Sequence, residues 1–196
     1  MDSIDYYNKY AAAVFEDTAE QDMNDIMKEF LECMEEGAAI LDLGCGSGRD
    51  SLSFYEMGYD VTPLDGSEEM CKLAEIHTDL DVLHMDFRQM DFDDAFDGIW
   101  ACASLIHIPK KELPEMLDRI SEALKRDGIV YMSFHKGDFE GFSGERYFSD
   151  YTEKEIERMI KESNGLKLIK LWETEDKGYS SSHENGTWLN VLSRKA

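Results

Sequence analysis

A short apolar run that leads into three glycines at alternate positions constrains this fold more than any other feature. Residues 40–50 read Ile-Leu-Asp-Leu-Gly-Cys-Gly-Ser-Gly-Arg-Asp. The run predicts a buried strand, and the residues after the glycines predict a helix. Glycine has no Cβ atom, so the turn from Gly44 to Gly48 can take positive φ and admit a ligand close to the main chain. The segment predicts a ligand-binding strand–turn–helix unit, although an ordinary turn of this type would also use glycine.

Helical and extended patterns alternate along most of the chain. Apolar residues spaced by three and four predict that residues 1–36 are helical. Further helices are predicted at 47–57, 67–76 and 110–126, and a capping box at Thr152 and Glu155 predicts the start of another. Strands are predicted at 38–43, 59–64, 82–85, 96–103, 129–135, 166–172 and 187–192, and residues 136–150 are predicted to form a loop. This order predicts an α/β fold with a Rossmann-like, doubly wound, mostly parallel sheet of seven strands. The last two strands have no helix between them, so they should be antiparallel.

Composition bounds the partners of this chain. Its 196 residues suit one domain, and its net charge of −23 argues against a nucleic-acid partner. No apolar run approaches the roughly 20 residues of a membrane span, and residues 1–5 do not resemble a signal peptide. Four widely spaced cysteines indicate reduced thiols, so we expect a cytoplasmic protein. We also expect it to act as a monomer or homodimer. No spacing of histidine and cysteine predicts a metal site.

Acidic residues follow the second and third predicted strands. Ligands of such sheets bind at the carboxyl ends of the strands, which is where Asp65 and Asp86 fall. A carboxylate at Asp65 can accept both hydroxyls of a ribose, or else it supports the helix cap at Ser67. Asp86 can accept the amine of an adenine between Met85 and Phe87, or else it is one solvated acid among many. Together the two acids favour a nucleoside-like ligand.

These residues resemble the successive motifs of the class I S-adenosylmethionine-dependent methyltransferases. The resemblance rests on residues 40–50, 61–70, 85–87 and 96–109 and extends from about Gly37 to His135. The stretches at 46–51, 103–109, 146–148 and 188–190 look like a smaller bacterial subgroup of tellurite-resistance type, which acts, where known, on small molecules. The resemblance implies one domain, with a helical lid at 1–36, a cofactor-binding core at 37–135 and a substrate side at 136–196. It also implies S-adenosylmethionine as cofactor, S-adenosylhomocysteine as product and a small-molecule methyl acceptor.

The resemblance also assigns roles to individual residues. The cofactor contacts that it implies are Tyr7, Tyr10, Asp42, Gly44, Cys45, Gly46, Ser47, Gly48, Arg49, Asp65, Gly66, Ser67, Met70, Met85, Asp86, Phe87, Ala101 and Ser104. For the acceptor side we expect contributions from His135, Arg146, Tyr147, Trp172 and Trp188. Two departures from the family pattern stand out. The turn before the fifth strand is Lys125-Arg126-Asp127-Gly128, and the segment 176–186 lacks the arginine usual in that subgroup.

Methyl transfer is an in-line displacement, for which a protein mainly aligns the reactants and excludes water. A base is needed only when the acceptor arrives protonated, and His107, just beyond Ser104, is the first candidate. His107 would equally suit a structural role that orients its loop. Two further classes remain open: a nicotinamide-dependent dehydrogenase, which the glycine spacing disfavours, and a non-catalytic S-adenosylmethionine-binding protein.

Overall fold

Seven strands form one twisted sheet in the computed structural model, which describes residues 3–175 and 186–196. The strands are β1 (Ala39–Leu43), β2 (Asp60–Asp65), β3 (Leu83–His84), β4 (Phe96–Ala101), β5 (Leu124–His135), β8 (Leu166–Glu175) and β9 (Thr187–Lys195). Their order across the sheet is β3-β2-β1-β4-β5-β9-β8, and only β9 runs against its neighbours. The predicted fold class and the antiparallel pairing of the last two strands are confirmed, with β9 inside the sheet and β8 at its edge.

Six helices accompany the sheet in the described part of the chain. They are α1 (Ser3–Thr18), α2 (Asn24–Leu31), α3 (Arg49–Glu56), α4 (Glu68–Thr78), α5 (Leu113–Ala123) and α6 (Glu153–Glu162). The predicted helical segment at 1–36 is therefore two helices, and α1 itself is kinked at Tyr10, whose φ is −117°. The capping box of Thr152 and Glu155 is confirmed. In the described residues no helix is long and apolar enough to cross a membrane.

The prediction that residues 136–150 form a loop is wrong. The structure has a hairpin there, with strands β6 (Glu140–Ser143) and β7 (Arg146–Ser149) joined by Gly144 and Glu145. Gly144 has a φ of +61°, which glycine adopts without a steric penalty. Two short runs separated by two residues, the first of them glycine, are a known hairpin pattern, but the polar composition masked it. This hairpin places Arg146 and Phe148 beside the carboxyl edge of the main sheet.

Both faces of the sheet are buried. On one face, Trp100 of β4 stacks on Tyr131 of β5 at 4.1 Å between ring centres and packs beside Phe30 of α2 and Phe54 of α3. The other face carries a larger apolar cluster that includes residues of α5 and α6. Burial on both faces explains why the strands read as nearly continuous apolar runs. Because both faces are covered, a ligand can approach the sheet at the carboxyl ends of its strands.

Candidate functional site

A cavity of about 430 Å³ lies at the carboxyl edge of the sheet, between the strand ends and α1. Its two ends differ in chemistry. We call residues 42–50, 65–67 and 86–88 the glycine half. The aromatic half comprises Tyr6, Tyr7, His107, His135, Arg146, Phe148 and Trp188. Ser104 lines the cavity at the end of β4, next to the glycine turn.

The turn after β1 is shaped by main-chain contacts. The N–H groups of Gly44 and Cys45 both donate to the carbonyl of Leu64 in β2, at 2.8 and 2.9 Å. Gly44 has a φ of +81°, and a Cβ atom on it would lie 2.5 Å from the Cβ of Ser104. Gly46 also has positive φ, but a Cβ there would meet nothing within 4 Å. Gly44 is therefore required by packing, while the main chain at Gly46 borders open space in the cavity.

Asp65 ends β2 in a fixed orientation. One carboxylate oxygen accepts from the N–H of Gly46 at 2.9 Å, and the other accepts from the N–H of Ser67 at 2.8 Å. Burial raises the pKa of Asp65, although these main-chain donors oppose the shift. Each oxygen keeps a second acceptor position, because a carboxylate oxygen carries two lone pairs. The side chain is thus held in place with acceptor capacity left for a pair of ligand hydroxyls.

A second acidic centre lies behind the glycine turn. Asp42 is buried and accepts from Ser51 Oγ at 2.6 Å, and burial, with help from the neighbouring Asp50, raises its pKa to about 8. Arg49 binds Asp50 through two hydrogen bonds of 2.6 and 2.8 Å, and Trp100 donates to the same carboxylate. Arg49 also donates to Gln21, which lies between α1 and α2. The arginine charge is therefore matched within the protein, and a cation placed beside Asp42 would favour the ionised form of that carboxyl.

Asp86 follows β3 as predicted, but its carboxylate has a partner. Arg88 donates to it through its side chain at 2.9 Å and through its N–H at 3.0 Å. Burial opposes the ionised form of Asp86, yet these hydrogen bonds outweigh it and lower the pKa. Phe87 lines the cavity beside this pair. A ligand amine at this position would share Asp86 with Arg88.

His107 lies in a short turn after β4 and is held at both ring nitrogens. Nδ1 lies 2.7 Å from the carbonyl oxygen of Tyr147, and Nε2 lies 2.8 Å from the hydroxyl of Tyr7 on α1. Because a carbonyl only accepts, the neutral ring carries its proton on Nδ1, and the Tyr7 hydroxyl donates to Nε2. Tyr7 is therefore placed on the nitrogen that a base would use.

The remaining acceptor-side candidates surround this pair. His135 ends β5 with its Nδ1 3.5 Å from Asp150 Oδ1, and its ring lies 4.2 Å from that of Trp188. The guanidinium carbon of Arg146 lies 4.8 Å from the ring centre of Tyr6 and 4.9 Å from that of Phe148, within cation–π range. His135, Arg146 and Trp188 all line the cavity, as the sequence predicted.

Several predicted site residues lie away from the cavity surface. Met70 and Ala101 are fully buried in the core, and Gly48 packs against α4. The hydroxyl of Tyr10 donates to Glu145, and that of Tyr147 donates to Glu140. Among the described residues, neither Met85 nor Trp172 lines the cavity, since Met85 packs on the larger apolar cluster and Trp172 on Tyr131.

Other lining residues were missed from the sequence. They are chiefly Ile4, Tyr6, Gln21, Asp50, Arg88, Tyr131, Ser133, Phe148 and Asn190. Asp50 directly follows the glycine turn, so its position was a usable signal. Phe148 and Asn190 lie within the stretches 146–148 and 188–190, so those stretches were a usable signal too. The others lie on α1 or just after it, beside Asp86, or on the inner strands, and tertiary packing brings them to the cavity. The described residues hold no group of three or more histidine, cysteine, aspartate or glutamate side chains placed to bind a metal ion.

Comparison with known proteins matches this architecture. Residues 40–128 fit the family profile described as a methyltransferase domain. The chain is 26% identical to (S)-coclaurine N-methyltransferase of Papaver somniferum over 98% of this chain and 58% of that protein. It is similar in structure to 1,6-didemethyltoxoflavin-N1-methyltransferase of Burkholderia thailandensis, solved with S-adenosylhomocysteine. The TM-score is 0.76 at 21% identity, over 99% of this chain and 86% of that one.

These similarities cover only part of the curated relatives and include a protein with a different reaction. The chain spans roughly half the length of the curated relatives that it matches, between 49% and 58% for three of them. The 4+2 cyclase SpnF also shares the fold, with a TM-score of 0.75 at 15% identity over 98% of this chain and 94% of that one. The predicted likeness to class I methyltransferases is confirmed, and the narrower likeness to the tellurite-resistance type stays a prediction. The reaction has to be argued from the site.

Proposed function

We propose that this chain, whose residues 40–128 match the profile of a methyltransferase domain, transfers a methyl group from S-adenosylmethionine to a small-molecule acceptor. The observation that carries the proposal is the glycine half. The open main chain at Gly46, in the turn after β1, and the carboxylate of Asp65, at the end of the neighbouring strand β2, are joined by a hydrogen bond of 2.9 Å. That arrangement suits a nucleoside with a short polar tail.

The residues present fit this cofactor at three points. Asp65 has acceptor positions left for two ribose hydroxyls, and Gly46 leaves space for a ligand against the main chain. Asp42 lies beside the turn, where a cationic amino acid portion would favour the ionised form of this carboxyl and be stabilised by it. Phe87 would flank the adenine, with Asp86 near its amine. When bound, S-adenosylmethionine would supply a methyl group on a sulfonium. Its leaving group is a neutral sulfide, which needs no acid to depart.

The protein then has to align the acceptor and keep water out. Helix α1 covers the cavity, with Ile4 against Gly66 and Tyr7 against His107. Asn8 accepts from Ser67 Oγ at 2.9 Å, and Ser3 Oγ accepts from the N–H of Tyr147 at 3.2 Å. Thus α1 is fastened to both halves, which excludes water from the reacting atoms and fixes the acceptor relative to the donor.

A small acceptor agrees with the size and charge of the site. A cavity of about 430 Å³ is in the usual range for small-ligand sites. Its described lining carries eight carboxylates but only three arginines, and Arg49 and Arg88 each bind a neighbouring carboxylate. That balance and the net charge of −23 would repel a phosphate backbone, so we propose that nucleic acid is not the acceptor. We also propose that the protein acts in the cytoplasm, as a monomer or homodimer.

A thermal melt with three ligands tests the cofactor assignment. S-Adenosylhomocysteine and S-adenosylmethionine should raise the melting temperature, because a ligand that binds only the folded state stabilises it by about 2.7 kcal/mol at 100 times its Kd. NAD should leave the melting temperature unchanged, and stabilisation by NAD alone would establish the dehydrogenase alternative. Turnover of methyl-labelled S-adenosylmethionine with small-molecule acceptors separates an enzyme from a protein that only binds the cofactor.

A further inference from the structure

The aromatic half is organised around one hydroxyl, that of Tyr7. This hydroxyl donates to Nε2 of His107 at 2.8 Å, and His107 in turn is fixed by the carbonyl of Tyr147. Arg146 lies close enough to bond the Tyr7 oxygen and favours its ionised form, while burial raises the Tyr7 pKa overall. At neutral pH Tyr7 is therefore a protonated phenol with a path for its proton to a histidine.

The sequence pointed to His107 as the base, but the geometry changes which atom meets the acceptor. The Nδ1 of His107 bonds a main-chain carbonyl, and its Nε2 is covered by Tyr7. Tyr7 lines the cavity on the side of α1, next to the ring of Tyr6. An acceptor in the cavity can thus reach the Tyr7 oxygen. Arg146 occupies one lone pair of that oxygen, and the second lone pair is left for the acceptor hydroxyl.

We propose that Tyr7 is the catalytic residue that takes the proton of the acceptor, that His107 receives the proton of Tyr7, and that the acceptor reacts through a hydroxyl on an aromatic ring. This inference rests on the proposed methyltransferase function. The rings of Tyr6, Phe148 and Trp188 give the acceptor side planar walls, which suit an aromatic ring.

The step balances in atoms and charge. The acceptor oxygen forms its bond to the methyl carbon while the carbon–sulfur bond breaks, and that electron pair stays on sulfur. The proton of the acceptor hydroxyl moves to the Tyr7 oxygen, and the Tyr7 proton moves to Nε2 of His107. The positive charge of the sulfonium is replaced by that of the imidazolium, which later loses its proton to water. A phenolic hydroxyl suits this relay because its proton affinity matches that of Tyr7, whereas a carboxylate acceptor would need no base.

A coloured phenol gives a test that does not depend on turnover. The probe is para-nitrophenol, whose hydroxyl ionises near neutral pH and whose phenolate absorbs visible light. It is titrated into the complex of the full chain with S-adenosylhomocysteine, at a pH where the free probe is mostly neutral. The wild-type complex should bind the probe as phenolate. The Tyr7→Phe complex should bind it without the phenolate signal, and methylation of the probe with S-adenosylmethionine should fall by about 10²-fold or more.

Matched variants keep the result specific. Tyr55→Phe removes the hydroxyl of an exposed tyrosine on α3 and should behave as wild type. His107→Gln should lose the phenolate signal as Tyr7→Phe does, and both should still bind S-adenosylhomocysteine in a calorimeter. Wild-type protein that binds the product but leaves the probe neutral or unbound contradicts the relay alone. Failure to bind the product contradicts the proposed function itself. A phenolate signal that persists in Tyr7→Phe assigns the base elsewhere and overturns the role of Tyr7.

Discussion

The two halves of the cavity are built in different ways. In the glycine half, contacts come from main-chain groups and carboxylates close together in the chain, such as Gly46 and Asp65. In the aromatic half they join distant side chains, since Tyr7 and His107 are 100 residues apart. The glycine half is bound to the sheet and cannot shift without it. The aromatic half depends on how α1 and the β6–β7 hairpin dock, so we expect substitutions there to change the use of the acceptor more than the folding of the chain.

The largest effect is expected where the glycine half is tightest. Gly44→Ala adds a Cβ 2.5 Å from that of Ser104 at a φ of +81°. Backbone strain of about 1–2 kcal/mol and overpacking of about 1–3 kcal/mol should together destabilise the fold and distort the turn. Urea unfolding and calorimetry with S-adenosylhomocysteine measure both effects.

Gly58→Ala is the matched control for this substitution. Gly58 also has positive φ, but a Cβ there meets nothing within 4 Å. It should show the backbone strain alone and keep product binding. Equal losses of stability and of product binding in Gly44→Ala and Gly58→Ala would contradict the claim that packing at Gly44 shapes the turn.

The next effect concerns affinity rather than folding. Asp65→Ala should weaken binding of S-adenosylhomocysteine by about 1.5–3 kcal/mol, the usual value of a hydrogen bond to a charged group. Turnover at saturating cofactor should change much less, because the ribose contact is equal in ground and transition states. Asp60→Ala, at the exposed opposite end of β2, is the control. Wild-type affinity in Asp65→Ala would show that Asp65 does not hold the ribose.

A smaller effect should appear in the pH dependence. Burial and Asp50 raise the pKa of Asp42 to about 8, so below that pH the free protein holds a proton there. A bound cation favours the ionised form, so S-adenosylmethionine should release protons, and its affinity should rise with pH by less than tenfold per unit up to about 8. Calorimetry in buffers of different ionisation enthalpy counts the protons.

Asp42→Asn keeps the shape of the side chain and removes its titration, so it should lose this proton release. The same shift makes the wild-type stability fall as pH rises from 3.8 to about 8, because the folded state binds the extra proton. Asp42→Asn should flatten that fall, while Asp118→Asn on the exposed face of α5 should not. Unchanged proton release in Asp42→Asn would show that a residue other than Asp42 releases the proton.

The smallest effect tests the link between the halves. Asn8 Oδ1 accepts from Ser67 Oγ and from the N–H of Glu69, so it ties α1 to the glycine half. Asn8→Ala should cost about 1 kcal/mol of stability and weaken product binding only a few-fold. Protease cleavage within α1, with and without S-adenosylhomocysteine, measures the loosening. A large loss of binding would mean that α1 belongs to the glycine half rather than bridging the two.

The same contrast explains what the sequence could predict. The glycine turn, Asp65 after the second strand and the seven strands of the main sheet follow from local spacing, and all are found where expected. Tyr10 was paired with Tyr7 because both lie on one predicted helix. The kink at Tyr10 instead places its hydroxyl on Glu145. Met70 and Ala101 lie within matching motifs, but burial in the core keeps them from the cavity.

The aromatic half was only partly accessible to sequence reasoning. His107, His135, Arg146 and Trp188 were proposed because they stand at strand ends or in matching stretches. The structure places all four on the cavity lining, and their roles stay predictions. Phe148 was missed as a lining residue and the hairpin that carries it was taken for a loop, since two four-residue strands give little periodicity. Contact between Tyr7 and His107 depends on tertiary docking of α1, which no local pattern encodes. The predicted loop at 176–186 lies almost wholly outside the described residues.

A crystal structure of the chain with S-adenosylhomocysteine tests the division of the cavity most directly. The account predicts that the ribose hydroxyls bond Asp65, that the amino acid portion lies against Gly46 beside Asp42, and that the sulfur faces the aromatic half near Ser104. The space beyond the sulfur should then be bordered by Tyr7 and Arg146. A product molecule bound with its ribose away from Asp65, or with its sulfur turned from Tyr7, would contradict the account.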